Sequence, residues 1–312
     1  MVSFNTSTLK FERRIRMAVT VQLVKELRYR TGAGMLDCKK ALEATDGKIE
    51  EAITWLREKG ITKAAKKSDR VASEGLVGLV TKGDKTVIFE VNSETDFVAK
   101  NKQFLDLMAT VGETLINNEP KTVEDALKIS VNGESLETVI VHAIATIGEK
   151  ITLRRFKIIH LKADQSMGFY LHSNNRIATV LTFSGKIDET IGKQLAMHVS
   201  AMRPQFISGD DISTDFLNSE KAILTAEAKN DPKNAEKPDN ILEKMVEGRL
   251  NKQLAEISFL NQVFVVNPDQ KISDVIKANN VHVVDMIRYE VGEGIEKEKI
   301  DFASEVMTQV RK

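Results

Sequence analysis

From Thr20 onward, apolar residues recur at helical spacing: Val21, Val24 and Leu27 share a face, while Lys25, Glu26 and Arg28 turn toward solvent. Thr20 is placed to cap this helix, and Gly32 and Gly34 end it in a tight turn from Thr31 to Gly34. The pattern predicts a second helix from about Met35 to Ala44, stopped by Asp46 and Gly47. A third runs from about Ile49 to Lys59, with Ile49, Ile53 and Leu56 on one side and Gly60 as its stop. Three short helices make a small bundle, and the basic KAAKKSDR stretch at 63–70 reads as its linker or extension.

Beyond residue 70 the period changes. Leu76 to Val80 and Val87 to Val91 read as strands around a turn at 82–85, a β-hairpin. A helical stretch with Phe104, Leu105, Met108 and Val111 follows, then a helix at 134–147 and a strand at 152–161. The plan recurs: residues 169–172 are extended, 173–175 turn, Ile177 to Phe183 form a strand and Ile191 to Met202 a helix. A hairpin then a helix, twice, points to two related α+β halves. Two charged helical arms, Phe216 to Lys229 and Asn240 to Glu256, flank a loop bracketed by Pro232 and Pro238. They predict an antiparallel helical hairpin in which Leu217, Ile223 and Leu224 face Ile241, Met245 and Leu250. Val263 to Val266 is expected as a strand, Ile272 to Ala278 as a helix, Val281 to Tyr289 as a strand, and the last twenty residues as a charged helical module.

Composition narrows the functional classes. A chain of 312 residues is long for one domain, and 42% hydrophobic with 29% charged residues permits real cores. Lys+Arg and Asp+Glu both total 45, so global attraction to nucleic acid or an anionic membrane is not supported. No apolar run approaches the roughly 20 residues that span a bilayer. The single cysteine, Cys38, excludes an internal disulfide framework and fits a reducing, cytoplasmic setting. The first sixteen residues hold Lys10, Arg13, Arg14 and Arg16 against one acid, with no apolar core of a secretory signal. They read as a flexible basic extension, as sequence upstream of a start at Met17, or as a short transit segment.

Candidate covalent chemistry is absent from the motifs. His142, His160, His172, His198 and His282 show no metal-ligand spacing with one another or with Cys38. Gly32-Ala-Gly34 lacks the third glycine of a dinucleotide fingerprint, Gly292-Glu-Gly294 is followed by acids that would repel phosphate, and no phosphate-binding loop occurs. The chain is therefore expected to take no cofactor and no metal, and to bind no nucleotide itself.

One segment stands apart. Asn92-Ser-Glu-Thr-Asp-Phe-Val98 follows the VIFEV strand directly. By spacing alone, Ser93 or Thr95 caps the next helix, Asp96 favours its first turn, and Phe97 packs in the core on one face with Phe104.

Five blocks, in order, resemble the elongation factor Ts family: LVKELRYRTGAGMLDCKKAL from Leu23, VNSETDFVAKN from Val91, LAMHVSAMRP from Leu195, KPDNILEKMVEGRLNK from Lys237 and RYEVGEGIEKEKIDFASEV from Arg288. The resemblance spans nearly everything from Met17. It implies an α+β protein: a ubiquitin-associated-like three-helix domain with its linker at 17–70, and a two-part core with antiparallel sheets at 71–163 and 164–291. A helical hairpin projects at about 212–257, and a C-terminal helical module occupies 292–312. The basic segment 1–16 has no family counterpart.

The implied partner is elongation factor Tu, GDP-bound or nucleotide-free, and the implied activity is guanine-nucleotide exchange on it, without covalent chemistry. A homodimer of the complex is one arrangement that the resemblance allows, and the sequence does not decide the oligomeric state. Thr95, Asp96, Phe97 and Val98 match the family segment that dislocates the Mg²⁺ site of elongation factor Tu, with Phe97 as a wedge. Lys25, Arg28, Met35, Leu36, Lys39, Ile147 and His172 match further contact positions. Around His172 the family usually has glycines where this chain has Ser173 and Ala178, and Val263 stands where proline is usual. The rival from a different class is a ubiquitin-associated-type adaptor without exchange activity, which accounts for the first 60 residues only.

Overall fold

The structure, a computed structural model, describes residues 19–234 and 237–296. In chain order these form α1 (Val21–Thr31), α2 (Met35–Ala44), α3 (Ile49–Ala65), β1 (Glu74–Lys82), β2 (Lys85–Ser93), α4 (Lys102–Asn118) and α5 (Val123–Lys128). A two-residue hairpin, β3 (Ser130–Val131) and β4 (Glu134–Ser135), precedes α6 (Leu136–Ile147), β5 (Thr152–His160), β6 (Gln165–Leu171), β7 (Ile177–Ser184) and α7 (Glu189–Met202). Then come α8 (Thr214–Asn230), α9 (Asp239–Ile257), α10 (Ile272–Ala278) and β8 (His282–Glu290). The chain is thus α+β, with small antiparallel sheets. The expected extension at 1–16 lies outside the described residues, as does the C-terminal module from 297.

Contacts divide the chain into two units, one of residues up to 70 with 137–151, the other of 71–136 with the remainder. In the first, α1–α3 close on Val24, Leu27, Cys38, Ala41, Leu42 and Ala52. The Thr20 side chain caps α1 as expected, accepting from Leu23 N, and Gly32 ends it in the left-handed region at φ 67°. Gly60 does not stop α3, which runs on to Ala65. A Cβ at Gly60 would lie 3.2 Å from the Ala145 side chain, so the missing side chain lets α6 approach α3 closely. The sequence reading put α6 with the core at 71–163; here it clusters with the bundle. Lys67 Nζ donates to Gly148 O at 2.5 Å, and Lys150 Nζ to Ser68 O at 2.6 Å and Arg70 O at 2.8 Å, which fasten the end of α6 to the segment after α3.

The second unit is built in four layers. Sheet one runs β1-β2-β5 and sheet two β6-β7-β8, all pairings antiparallel. Strand residues alternate faces. Ile88 and Val77 of sheet one meet Ala178, Val180 and Ile287 of sheet two. The intervening Phe89 faces α4, where a Cβ at Gly112 would meet its ring. In sheet two, Leu181 and Phe183 pack on Leu195 and Val199 of α7. Thr179 Oγ1 and Ser200 Oγ share a hydrogen bond at 2.7 Å in that contact. The order is therefore α4, sheet one, sheet two, α7.

Two expectations fail locally. Val263 to Val266 is no strand: Val263 makes a single bridge to Lys271, and the rest turns, because Asn267 N bonds Phe264 O and Pro268 follows. In the α8–α9 hairpin, Ile223 and Ile241 are exposed, whereas Ala228 and Val246 are buried. The seam is offset toward these smaller residues near the loop, where the Asn234 amide donates to Ala228 O.

Candidate protein-binding tip and helix face

The segment after β2 does not enter a helix. Glu94 to Phe97 bends and turns, Val98–Lys100 makes one 3₁₀ turn, and α4 starts only at Lys102. Asn101, not Ser93 or Thr95, is the cap, its side chain accepting from Gln103 N. Ser93 Oγ instead donates to Thr95 O at 3.0 Å and braces the turn from inside. Phe97 therefore never joins Phe104 on one helix face. Phe104 is fully buried, while Phe97 is 78% exposed and Asp96 is exposed beside it. Val98 is buried at 6% and anchors the turn. A large ring held in water by a turn that has an apolar anchor next to it is not core packing; it is a presented side chain.

The root of this tip is densely bonded around a buried carboxylate. Glu90, 0% exposed, points between the sheets. Its Oε1 accepts from Asn92 Nδ2 at 3.0 Å, Arg154 at 3.0 Å and Gly292 N at 2.8 Å, and its Oε2 from Arg155 Nε at 2.6 Å. Burial pushes its pKa up, but the Gly292 N–H, Arg155 and Asn92 outweigh it and hold the carboxyl below the ordinary 4.5. Gly292 sits at φ +74° against Ser73 O, a place that a Cβ would fill. Asn92 also donates to Glu74 O at 3.1 Å. No sequence argument singled out Glu90, although a lone acid within VIFEV, with Arg154-Arg155 in the pairing strand, was the available signal.

His172 lies in the β6–β7 turn, with Nδ1 2.8 Å from Asn174 Oδ1 and its ring edge-on to Tyr170. The turn's left-handed residue is Asn175 at φ 53°, so Ser173 in place of glycine meets no steric penalty there. Asn175 O accepts from Val77 N at 2.8 Å, and Arg176 pairs with Glu74 at 2.5 Å. Glu74 pairs in register with Ser93. The His172 turn is thus bonded to the same end of β1 from which the tip leaves β2.

The remaining predicted residues belong to the first unit. Lys25 and Arg28 are exposed one turn apart on α1, and Met35, Leu36 and Lys39 are exposed on α2, with Leu36 at 73%. Ile147, at the end of α6, is half-buried. Val21 at 71% and Tyr29 at 92% are further exposed apolar residues of α1 that the sequence reading did not mark. Cys38 is buried, with its thiol pushed above the ordinary 9.0 by desolvation, which suits a packed residue and not a nucleophile. His198 is likewise internal, bonded to Gln262 Oε1 at 2.8 Å and accepting from Val265 N at 3.2 Å. Among the described residues no group of three or more His, Cys, Asp or Glu could hold a metal ion, and no helix is long and apolar enough to cross a membrane.

The family model described as elongation factor TS matches residues 94–293. An elongation factor Ts of Spiroplasma citri is 90% identical over 296 residues, which is 95% of this chain and 100% of that protein. The matches run through the tip, both sheets and the helical hairpin, which an adaptor built on the first bundle alone would not require. This chain belongs to the elongation factor Ts family.

Proposed function

We propose that the Asp96–Phe97 tip is the part of this molecule that loosens nucleotide from elongation factor Tu, and that the α1–α2 face, Ile147 and the His172 turn supply the grip. Family membership makes the chain a translation elongation factor that exchanges guanine nucleotide on elongation factor Tu. Exchange of this kind makes and breaks no covalent bond.

The physical logic is a coupling between binding sites. A GTPase holds its nucleotide through a phosphate-cradling loop and a Mg²⁺ ion that neutralises phosphate charge. A partner that fits best when those groups are displaced must weaken the nucleotide, and the nucleotide must weaken the partner by the same factor. Phe97 offers the means. Its exposed ring can fill an apolar pocket, and the neighbouring Asp96 carboxylate can unsettle the polar contacts around the ion. Thr95 and Val98 shape and anchor the turn. The factor engages both GDP-bound and nucleotide-free partner, the second more tightly, as the reciprocal coupling requires. It works in the cytoplasm beside the ribosome.

The observation that carries this reading is the exposure of Phe97 on a braced turn. Stopped-flow release of a fluorescent GDP from elongation factor Tu tests it. Phe97→Ala should slow the stimulated release at saturating factor by about 30-fold or more, the size of a hot-spot side chain. An unchanged rate would refute the wedge. By calorimetry the isolated chain should bind neither GDP nor GTP; tight binding of either would mean that the site for exchange lies elsewhere.

A further inference from the structure

Glu90 is costly where it stands. An ionised carboxylate taken wholly out of water needs several donors to offset its desolvation, and an apolar side chain of similar size is often as good for stability or better. Four N–H donors converge on it nonetheless, from β2, from β5 and from the segment after β8. Its position explains what they accomplish. Two residues further, Asn92 repeats the inward direction, bonding both Glu90 and the Glu74 carbonyl. The next residue, Ser93, begins the tip. Beyond Glu74 the path continues through Arg176 into the His172 turn. The tip is a short turn braced by the Ser93–Thr95 bond and anchored by buried Val98, and it leaves directly from this root, which sets the direction in which it starts.

We infer that Glu90 is a positioning residue for nucleotide exchange: its carboxylate fixes the direction in which Phe97 projects and holds the tip in register with the His172 turn. This rests on the reading of Phe97 as the wedge. The effect is one of preorganisation. A ring that must enter a partner's pocket loses binding when its loop samples many directions, and only the competent fraction contributes.

A double-mutant cycle separates this role from simple support of the fold. Glu90→Gln keeps the size of the side chain but turns one acceptor into a donor facing Arg155 or the Arg154 and Gly292 N–H groups. In stopped-flow GDP release from elongation factor Tu, the folded variant should lose about tenfold in the saturating rate. The half-saturating concentration should stay within about threefold of the parent, because the α1–α2 face and Ile147 are untouched and only the His172 part of the grip is disturbed. Adding Phe97→Ala to Glu90→Gln should cost no more than Phe97→Ala alone, since a misdirected ring and a missing ring are alike to the partner. Asn92→Ala, which removes the link to Glu74 and also an acceptor left without a partner, is the milder second variant. It should show the same non-additivity at about threefold, and it carries the test should Glu90→Gln fail to fold. Losses that multiply with Phe97→Ala, or a parental saturating rate in folded Glu90→Gln, would overturn the inference. Phe97→Ala that exchanges normally by itself would remove the wedge, and the positioning role with it.

Discussion

The two sets of proposed contact residues are held in opposite ways. Lys25, Arg28, Met35, Leu36 and Lys39 stand on the outer faces of α1 and α2, long side chains on a small bundle whose core is six buried residues. Phe97 stands alone on a turn whose root is clamped by a buried carboxylate and an anchored neighbour. A broad face of separate charges and apolar groups suits capture: charges raise the encounter rate, and scattered apolar contacts slow escape. A single ring on a fixed mount suits displacement, because it can press on one place. The larger part of the grip, the α1–α2 face and Ile147, is thus assigned to one unit and the displacing ring, with the His172 turn beside it, to the other, and each assignment can be broken by its own experiment.

The sharpest contrast is within the tip unit itself, between Phe97 and Phe104, seven residues apart. Phe104 is fully buried under sheet one, so Phe104→Ala should destabilise the second unit by about 3–5 kcal/mol in denaturant unfolding. Phe97→Ala should change stability by less than about 0.5 kcal/mol, the range of exposed substitutions. A large stability loss from Phe97→Ala would show that the ring packs in the fold and would end its role as a presented group.

That contrast also marks where sequence reasoning reached its limit. The strand–helix order, the hairpin at 82–85 and the α8–α9 arms follow from periodicity and turn residues, because burial of one face writes itself into a local pattern. Phe97 does not, since an exposed Phe and a buried Phe occupy the same letter and the same spacing. The resemblance of the surrounding TDFVAKN string pointed outward; the burial preference of Phe pointed inward, and the turn at 94–97 decided it. Gly60 failed for a related reason: a glycine that ends a helix and one that admits a second helix against it look identical until α6 is in place. The clamp on Glu90 is assembled from residues up to 202 positions apart, and such a distance leaves no periodic trace.

Capture by the first unit should be separable from displacement. Leu36 is 73% exposed at the start of α2, near Lys39. Leu36→Ala should weaken binding to elongation factor Tu by about 1–2 kcal/mol, or about five- to thirtyfold in half-saturating concentration. The saturating rate of GDP release should stay at the parental value, as expected for uniform binding lost from a site remote from the nucleotide. If the saturating rate falls with the affinity, the division between the two units does not hold.

The smallest effect is a difference in how the two units answer to pH. His198, in the second unit, is held below its ordinary 6.5 by desolvation, only partly offset by its bond to Gln262. Unfolded chain takes up a proton near that value which the folded chain refuses, so stability is whole above pH 6.5 and declines as pH falls below it. Glu90 and Glu119, also in the second unit, are held below 4.5, and their contributions are likewise whole above that value and lost in stronger acid. Among the described residues of the first unit the shifted group is Cys38, raised above 9.0; its contribution is whole below that value and lost only as pH rises past it. Mild acid should therefore loosen the second unit first. The chain's one tryptophan, Trp55, lies on α3 and reports the first unit. Between about pH 6.5 and 5, the far-ultraviolet melting midpoint should fall by a few degrees while the Trp55 fluorescence transition stays in place. His198→Gln should flatten the far-ultraviolet dependence over that interval, whatever it does to stability at neutral pH. Were the Trp55 transition to move in step with the far-ultraviolet one, the two units would be melting as a single cooperative body, and a bundle that grips could not be treated apart from the tip that displaces.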